Sequence, residues 1–231
     1  MTATLTRPTQ DVNTATMRFA RQTDLLSPDV CTKPVHIIGA GATGSFLALS
    51  LAKMGLTDIT IYDADKVEEH NFPNQLFHIA AKGQNKALAV RDLVKMFTDT
   101  EIKAVPEMFK GKHELTGIVV SALDTMKGRK LIYKSVVNNP KVELLIDPRT
   151  GPELFAVATI NPNSPYECEA YLPTLIKDSD VVQAPCTARA IIYSVLCISS
   201  IIASQIKRYL MKQDLKSNIV VDLNESVAFF G

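Results

Sequence analysis

Apolar residues along this chain follow two rhythms. Short runs, VHII at 35–38, ITIY at 59–62, the IVVSALD stretch at 118–124, VELLID at 142–147 and ELFAVATI at 153–160, have the length and β-branched content of strands, the first reading as a strand buried on both faces. Between them apolar positions recur every three or four residues. Leu47, Leu51 and Met54 form one such stripe, closing at Gly55 as a helix C-cap, and Ala87, Val90, Val94 and Phe97 form a second over 84–97. MKGRKLIYKSVVNN, from 126, and the stretch 187–210 are two further helix candidates. Strands that alternate with helices predict an α/β fold, doubly wound and mostly parallel in the Rossmann-like manner. Residues 218–230 add a small C-terminal extra sheet.

The remaining segments are punctuation. Residues 66–83 are polar, are broken by Pro73, and read as a loop or interrupted helix, while Pro148–Pro152 read as a turn. The long irregular connection 161–186 has a length usually reserved for functional or mobile loops. Residues 1–16, rich in Thr, Asn, Asp and Pro, read as a flexible arm, and 17–231 as one domain, whose first segment, 17–29, carries apolar residues and two arginines that would dock on it.

Composition narrows the function classes. The 231 residues carry 25 Lys and Arg against 24 Asp and Glu, a net charge of +1, with both signs scattered, so neither a nucleic-acid stripe nor an acidic tail is indicated. The four cysteines, Cys31, Cys168, Cys186 and Cys197, form no CxxC pair, which gives no sign of a disulfide framework or a zinc site. The polar start lacks the apolar stretch of a secretion signal, so a cytoplasmic protein is expected. AIIYSVLCISSIIA, 190–203, falls short of the roughly 20 residues needed to span a bilayer and reads as a core helix, with Cys197 inside it, so no membrane contact is expected.

The chemistry concentrates where the first strand ends. In IIGAGATG, 37–44, Gly39 permits a tight turn, Gly41 lets a phosphate approach the backbone, and Gly44 allows close packing of helix on strand. About 20 residues on, Asp63 ends the second strand where its carboxylate can accept from ribose hydroxyls. Asp65 does not belong to the ordinary dinucleotide pattern, and two nearby carboxylates suit a magnesium–phosphate site better than a nicotinamide. A nicotinamide-dependent oxidoreductase remains an alternative. It leaves Asp65 without a task, and no proton-transfer residue stands out for it. His70 and His78 show no metal-ligand spacing.

At this point the sequence resembles a family. IYDADKVEEHNFPNQLF looks like the D-x-D-x-V-x-x-x-N-(three residues)-Q stretch of the ThiF/MoeB/HesA adenylyltransferases, the group that includes ubiquitin-activating enzymes. RFARQ at 18–22 is similar to their R-x-x-R-Q, GQNKA at 83–87 to their G-x-x-K-A, and SALDTMKGRKLI at 121–132 to their Asp followed by Arg. The apolar helix after Cys186 falls in the family's order, and the compact chain resembles bacterial or phage-type members.

The resemblance implies ATP and magnesium, without zinc. Gly39, Gly41 and Gly44 would form the phosphate turn, Asp63 would hold the ribose, Asn71, Gln75 and Lys86 would contact the triphosphate, and Asp124 would hold magnesium. Arg21 would reach in from the partner subunit of a homodimer. The activated group would be the C-terminal carboxylate of a small ubiquitin-like or sulfur-carrier protein, or of a peptide. Cys186, at the start of the last long helix with Arg189 nearby, would capture the acyl group or donate sulfur. One departure stands out: Asn74 occupies the place of the family's usual arginine. An amide positions but does not neutralise a phosphate, so Arg21 or Arg149 would compensate, or the protein would be a catalytically weak ATP-binding scaffold. Acceptor specificity would reside in 161–185 and 218–231.

Overall fold

The first strand, β1 (Val35–Ile38), has no exposed residue, His36 included, and it lies between β2 and β4 in an eight-stranded sheet. The structure is a computed structural model that describes residues 17–180 and 190–231. From β1 the chain passes through α1 (Ala42–Met54), β2 (Ile59–Tyr62), α2 (Lys86–Thr98), β3 (Lys103–Val105), β4 (Gly117–Ser121) and α3 (Met126–Val136). There follow β5 (Val142–Thr150), β6 (Leu154–Ile160), the short α4 (Pro165–Tyr171), the long α5 (Ile192–Leu210), β7 (Asn218–Asp222) and β8 (Val227–Phe230).

The strand order is β3-β2-β1-β4-β5-β6-β7-β8. Pairings from β3 to β5 are parallel, and those from β5 to β8 antiparallel. The C-terminal strands therefore extend the main sheet rather than forming one of their own: β6 pairs with β5 on one side and β7 on the other, which leaves no gap between the two halves.

Each face of the sheet has its own core. On one, α1, α2 and α5 cover Ile37, Ile61, Val120 and Phe155, and α5 contributes a stripe of Ile198, Ile202 and Ile206. On the other, α3, α4 and the β3–β4 loop cover Ile38, Tyr62, Val119 and Leu145. Thus the apolar stretch expected as a core helix is buried along one face only, with Ile192, Tyr193 and Leu196 on its exposed side and Cys197 half-buried against the core. No helix among the described residues is long and apolar enough to cross a membrane. Phe97, expected to continue the buried stripe of α2, is exposed and has Lys53 Nζ 5.8 Å from its ring centre.

Two boundaries move. The turn expected at Pro148–Pro152 lies later, because β5 continues through Thr150 and the reversal closes with Gly151 N donating to Leu154 O at 2.8 Å. Proline is tolerated in this strand because β4 pairs with β5 only as far as Ile146, and the Pro148 carbonyl turns to Arg129, away from β6. Within the irregular 161–186 region, Ser164 caps α4, its hydroxyl accepting from Glu167 N.

Candidate active site

A cleft of about 1600 Å³ opens at the carboxyl ends of β1, β2 and β4, the place where a doubly wound sheet receives its ligands. Local sequence shapes its floor. Gly39 adopts φ +110°, and a Cβ there would stand 2.4 Å from the Ala122 carbonyl oxygen, so only glycine lets β1 turn beside the end of β4. A Cβ on Gly44 would lie 1.9 Å from Gly39 O, so α1 presses directly on the turn. Gly44→Ala should therefore push helix from strand and cost about 2–3 kcal/mol, read as a lower urea midpoint at unchanged m. A midpoint within 0.2 M of the parent, taken as roughly the scatter of such measurements, would refute this close contact.

Gly41 differs from both: nothing lies within 4 Å of where its Cβ would be, so the backbone here faces open space. It is the N-cap of α1 and supplies no side-chain oxygen, which leaves the first amides of the helix to a ligand, best an anionic one.

Asp63 accepts from Ala40 N at 2.7 Å and Asp65 N at 2.8 Å, which fixes its carboxylate beside the glycine turn. Burial pushes its pKa up, opposed by those two hydrogen bonds. A carboxylate offers about four lone-pair sites, so acceptor capacity remains for hydroxyl donors. Asn85 caps α2, its Oδ1 accepting from Leu88 N while Nδ2 donates to Asp63 O, and the next residue, Lys86, reaches Asp65 at 3.2 Å. The Lys86 side chain is only 11 % exposed and that of Asp65 70 %, so the pair opens on the Asp65 side.

Asn71 is buried, with its Oδ1 accepting from Glu68 N. Asn74 Nδ2 donates to Ala190 O at 3.0 Å. Asn74 Oδ1 and Gln75 Oε1 are buried with no hydrogen-bond partner among the described residues. Asp124 is exposed between the end of β4 and Thr125, the N-cap of α3. Asp178, from a distant part of the chain, accepts from Met126 N and Lys127 N on the same helix.

Behind that wall lies a buried ionic hub. Asp147 on β5 is 1 % exposed and accepts from Arg129, Arg149 and the Tyr171 hydroxyl. Arg129, itself 6 % exposed, also donates to Ser121 O and Pro148 O, so one guanidinium joins the end of β4, α3 and β5. Arg149 continues to Thr174, binding its carbonyl and its hydroxyl at 2.8 Å each.

Of the residues singled out in the sequence, Gly39, Gly41, Asp63, Asp65, Asn71, Asn74, Gln75, Lys86 and Asp124 line this one cleft. Gly44 shapes it from beneath. Arg21 does not reach the cleft of its own chain: its segment is anchored at the far ends of α1 and α2, by Arg18 Nη1 to Thr98 O and Gln22 Nε2 to Met54 O. Arg149 is a correction, since Asp147 and Thr174 engage its guanidinium and it does not line the cleft, so it does not stand in for an arginine at Asn74. Cys186 and Arg189 lie outside the described residues.

Sequence reasoning missed the Asp147 hub and Asp178. A lone acid inside the apolar LLID run was a local signal for the hub. Asp178 had none, being 52 residues from the amide it caps. Lys66, Lys127 and Lys177 also line the cleft.

The sheet order and a glycine turn opening on a cleft at its carboxyl ends define a doubly wound α/β protein of the nucleotide-binding architecture. The chain belongs to the ThiF family, whose profile matches residues 19–225. It is similar to the ATP-dependent ubiquitin transferase-like protein Cap2 of Enterobacter hormaechei subsp. hoffmannii, 32% identical over 88 residues that make up 38% of this chain and 15% of that protein. It is also similar to the adenylyltransferase and sulfurtransferase MOCS3 of Dictyostelium discoideum, 31% identical over 137 residues, 52% of this chain and 31% of that one. The chain spans between 15% and 31% of the length of the curated relatives it matches. Among solved structures, E. coli MccB with AMPCPP and MccA shares the fold at a TM-score of 0.75 and 15% identity, covering 96% of this chain and 72% of that one.

Proposed function

We propose that this chain is an ATP-dependent adenylyltransferase that activates a C-terminal carboxylate as an acyl-AMP. The observation that carries this reading is the convergence of the glycine turn, Asp63, Asn71, Gln75, Lys86 and Asp124 on one cleft. The carboxylate of the acceptor attacks the α-phosphate of ATP, a P–O bond forms, and the bond to the β-phosphate breaks to release pyrophosphate. Such a displacement needs charge neutralisation and in-line placement more than covalent help.

The roles follow from position. The open backbone at Gly41 and the first amides of α1 receive phosphate oxygens, Asp63 receives the ribose hydroxyls, and Asn71, Gln75 and Lys86 face the triphosphate. Lys86 carries its ammonium at the first turn of α2, and ATP would draw it from Asp65. Magnesium fits Asp124, an exposed carboxylate with no ion pair among the described residues, since this ion typically takes one or two carboxylates and completes its shell with phosphate and water. It would supply charge neutralisation of the polyphosphate.

The acceptor class is a small ubiquitin-like or sulfur-carrier protein, or a peptide. The names of Cap2 and MOCS3 support it, as does the presence of MccA with an ATP analogue in the MccB structure. Arg21 would serve the cleft of a partner subunit in a homodimer, and the Cys186 thiol would take the acyl group from the acyl-AMP as a thioester, with AMP as the leaving group.

The test is nucleotide-dependent protection followed by exchange. ATP with magnesium at 100 times its Kd should stabilise the protein by about 2.7 kcal/mol, whereas NADH should leave its melting temperature unchanged. Exchange of labelled pyrophosphate into ATP, dependent on an added carboxyl-terminal donor, completes the assignment. Protection by NADH alone would favour the oxidoreductase, and tight ATP binding without exchange for any donor would favour the scaffold.

A further inference from the structure

Helix α3 carries charge of one sign. Its sequence, MKGRKLIYKSV, holds four basic residues and no acidic one, and its buried face takes Arg129, Ile132, Tyr133 and Val136. Lys127, Lys130 and Lys134 share the opposite stripe at i, i+3 and i+7, and all three line the cleft. None of them forms an ion pair among the described residues, not even with Glu107, which shares the cleft, whereas Lys33, Lys82, Lys86, Lys95 and Lys141 each reach a carboxylate.

For stability this arrangement is a poor choice. Like charges three and four residues apart repel, and Lys127 in the first turn opposes the helix dipole. Asp178 offsets the dipole from 51 residues beyond Lys127, but its carboxylate meets the amides of Met126 and Lys127 rather than an ammonium group. A stripe of cations that stability disfavours, facing a cleft, points to an anionic ligand.

ATP does not account for it. The glycine turn, Asp63 and Lys86 place the nucleotide at the ends of β1 and β2, whereas the stripe starts beyond β4 and runs about 10 Å along α3 from Lys127 to Lys134. An extended peptide covers that distance in about three residues. The β3–β4 loop lies against the same helix, since a Cβ on Gly111 would stand 3.0 Å from Leu131 Cδ1 and from Ser135 Oγ. This loop brings Met108, 66 % exposed, into the cleft that also holds Leu131, 36 % exposed. Neither is aromatic, so bases find no stacking platform beside the lysines, which favours a peptide over a nucleic acid.

We infer that Lys127, Lys130 and Lys134 form a docking stripe for an acidic segment of the acceptor, just before the carboxylate that attacks ATP. The inference rests on the adenylation reading above and adds which acceptors the cleft takes: those with acidic side chains in their last few residues. The stripe steers and selects the acceptor and has no part in the bond change itself.

The test needs no knowledge of the natural acceptor. Ac-Glu-Glu-Glu-Gly-sulfamoyladenosine and Ac-Gln-Gln-Gln-Gly-sulfamoyladenosine both mimic an acyl-AMP and differ only in the charge of the peptide. Binding of each to the full chain is measured by calorimetry. The wild-type protein should prefer the glutamate probe about tenfold at low salt, the combined size of three exposed ion pairs, and should lose most of that preference at about 1 M salt. The triple variant Lys127→Gln, Lys130→Gln, Lys134→Gln should bring the ratio close to one, and the corresponding Lys→Arg triple should keep it. The control Lys207→Gln, Lys212→Gln, Lys216→Gln changes net charge equally at positions that do not line the cleft, and should also keep it. Each ratio is internal to one variant, so a partly unfolded sample does not alter it.

A wild-type ratio near one, or an unchanged ratio in the first triple variant, would overturn the inference and leave the adenylation reading standing. Equal loss in the control would also overturn it, because the preference would then follow net charge alone. A ratio near one accompanied by oligouridylate binding that the first triple variant loses would assign the stripe to nucleic acid instead. Failure of both probes to bind a protein that binds ATP would overturn the adenylation reading, and this inference with it.

Discussion

Replacing Asp124 by alanine should lower donor-dependent pyrophosphate exchange by about 10²–10³-fold, the usual loss when one preorganised electrostatic group is removed from a reaction that moves negative charge. The same change should leave the melting temperature close to that of the parent. Asp124 is exposed at the end of β4 and caps nothing: Thr125 serves as N-cap of α3, and Asp178 binds the next two amides. The expected signature is thus a protein as stable as its parent that binds ATP comparably in EDTA and has lost the benefit of magnesium. Exchange within fivefold of the parent would remove Asp124 from the proposed chemistry.

The second large effect concerns stability. Asp147→Leu should destabilise the fold by about 3–5 kcal/mol, because it leaves the guanidinium of Arg129 buried without a countercharge. Arg149 is partly exposed and can turn to water, whereas Arg129 at 6 % exposure cannot. Arg129→Met should cost less, since Asp147 keeps Arg149 and the Tyr171 hydroxyl. The double variant, Arg129→Met with Asp147→Leu, should be more stable than Asp147→Leu alone, as replacement of both members of a buried pair avoids the stranded charge. Urea unfolding of the three proteins checks the order, and a double variant less stable than Asp147→Leu would contradict it. Because Arg129 and Arg149 also hold the end of β4 and the segment at Thr174, losses here should weaken ATP binding as well, in proportion to the unfolded fraction.

These two positions differ in how far the sequence announced them. Asp124 was legible because it closes an apolar strand and opens a helix, a local pattern with a positional meaning at the edge of a parallel sheet. The glycine turn was legible for the same reason: Gly39 and Gly44 are needed by backbone contacts within a few residues or with the adjacent strand. Asn74 was visible only as an oddity in a family pattern. Its bond to Ala190 spans 116 residues, and no periodicity encodes a contact of that range. Arg149 misled because its own surroundings, the DPRTG turn signal, hide the buried acid that engages it.

The sequence by itself determined the strand–helix alternation, the place of the glycine turn and the set of polar residues that end strands or begin helices. These follow from hydrophobic period, glycine geometry and capping, which act over a few residues. Only the tertiary structure decided that the C-terminal strands extend one sheet, that Asp147 gathers two arginines and a tyrosine, that Asp178 caps a helix far from it in sequence, and that the Asn74 amide is tied to Ala190. Each of these is a choice of partner among groups distant in sequence, made when burial forces charges and amides to find whatever complementary group the packed elements bring within reach.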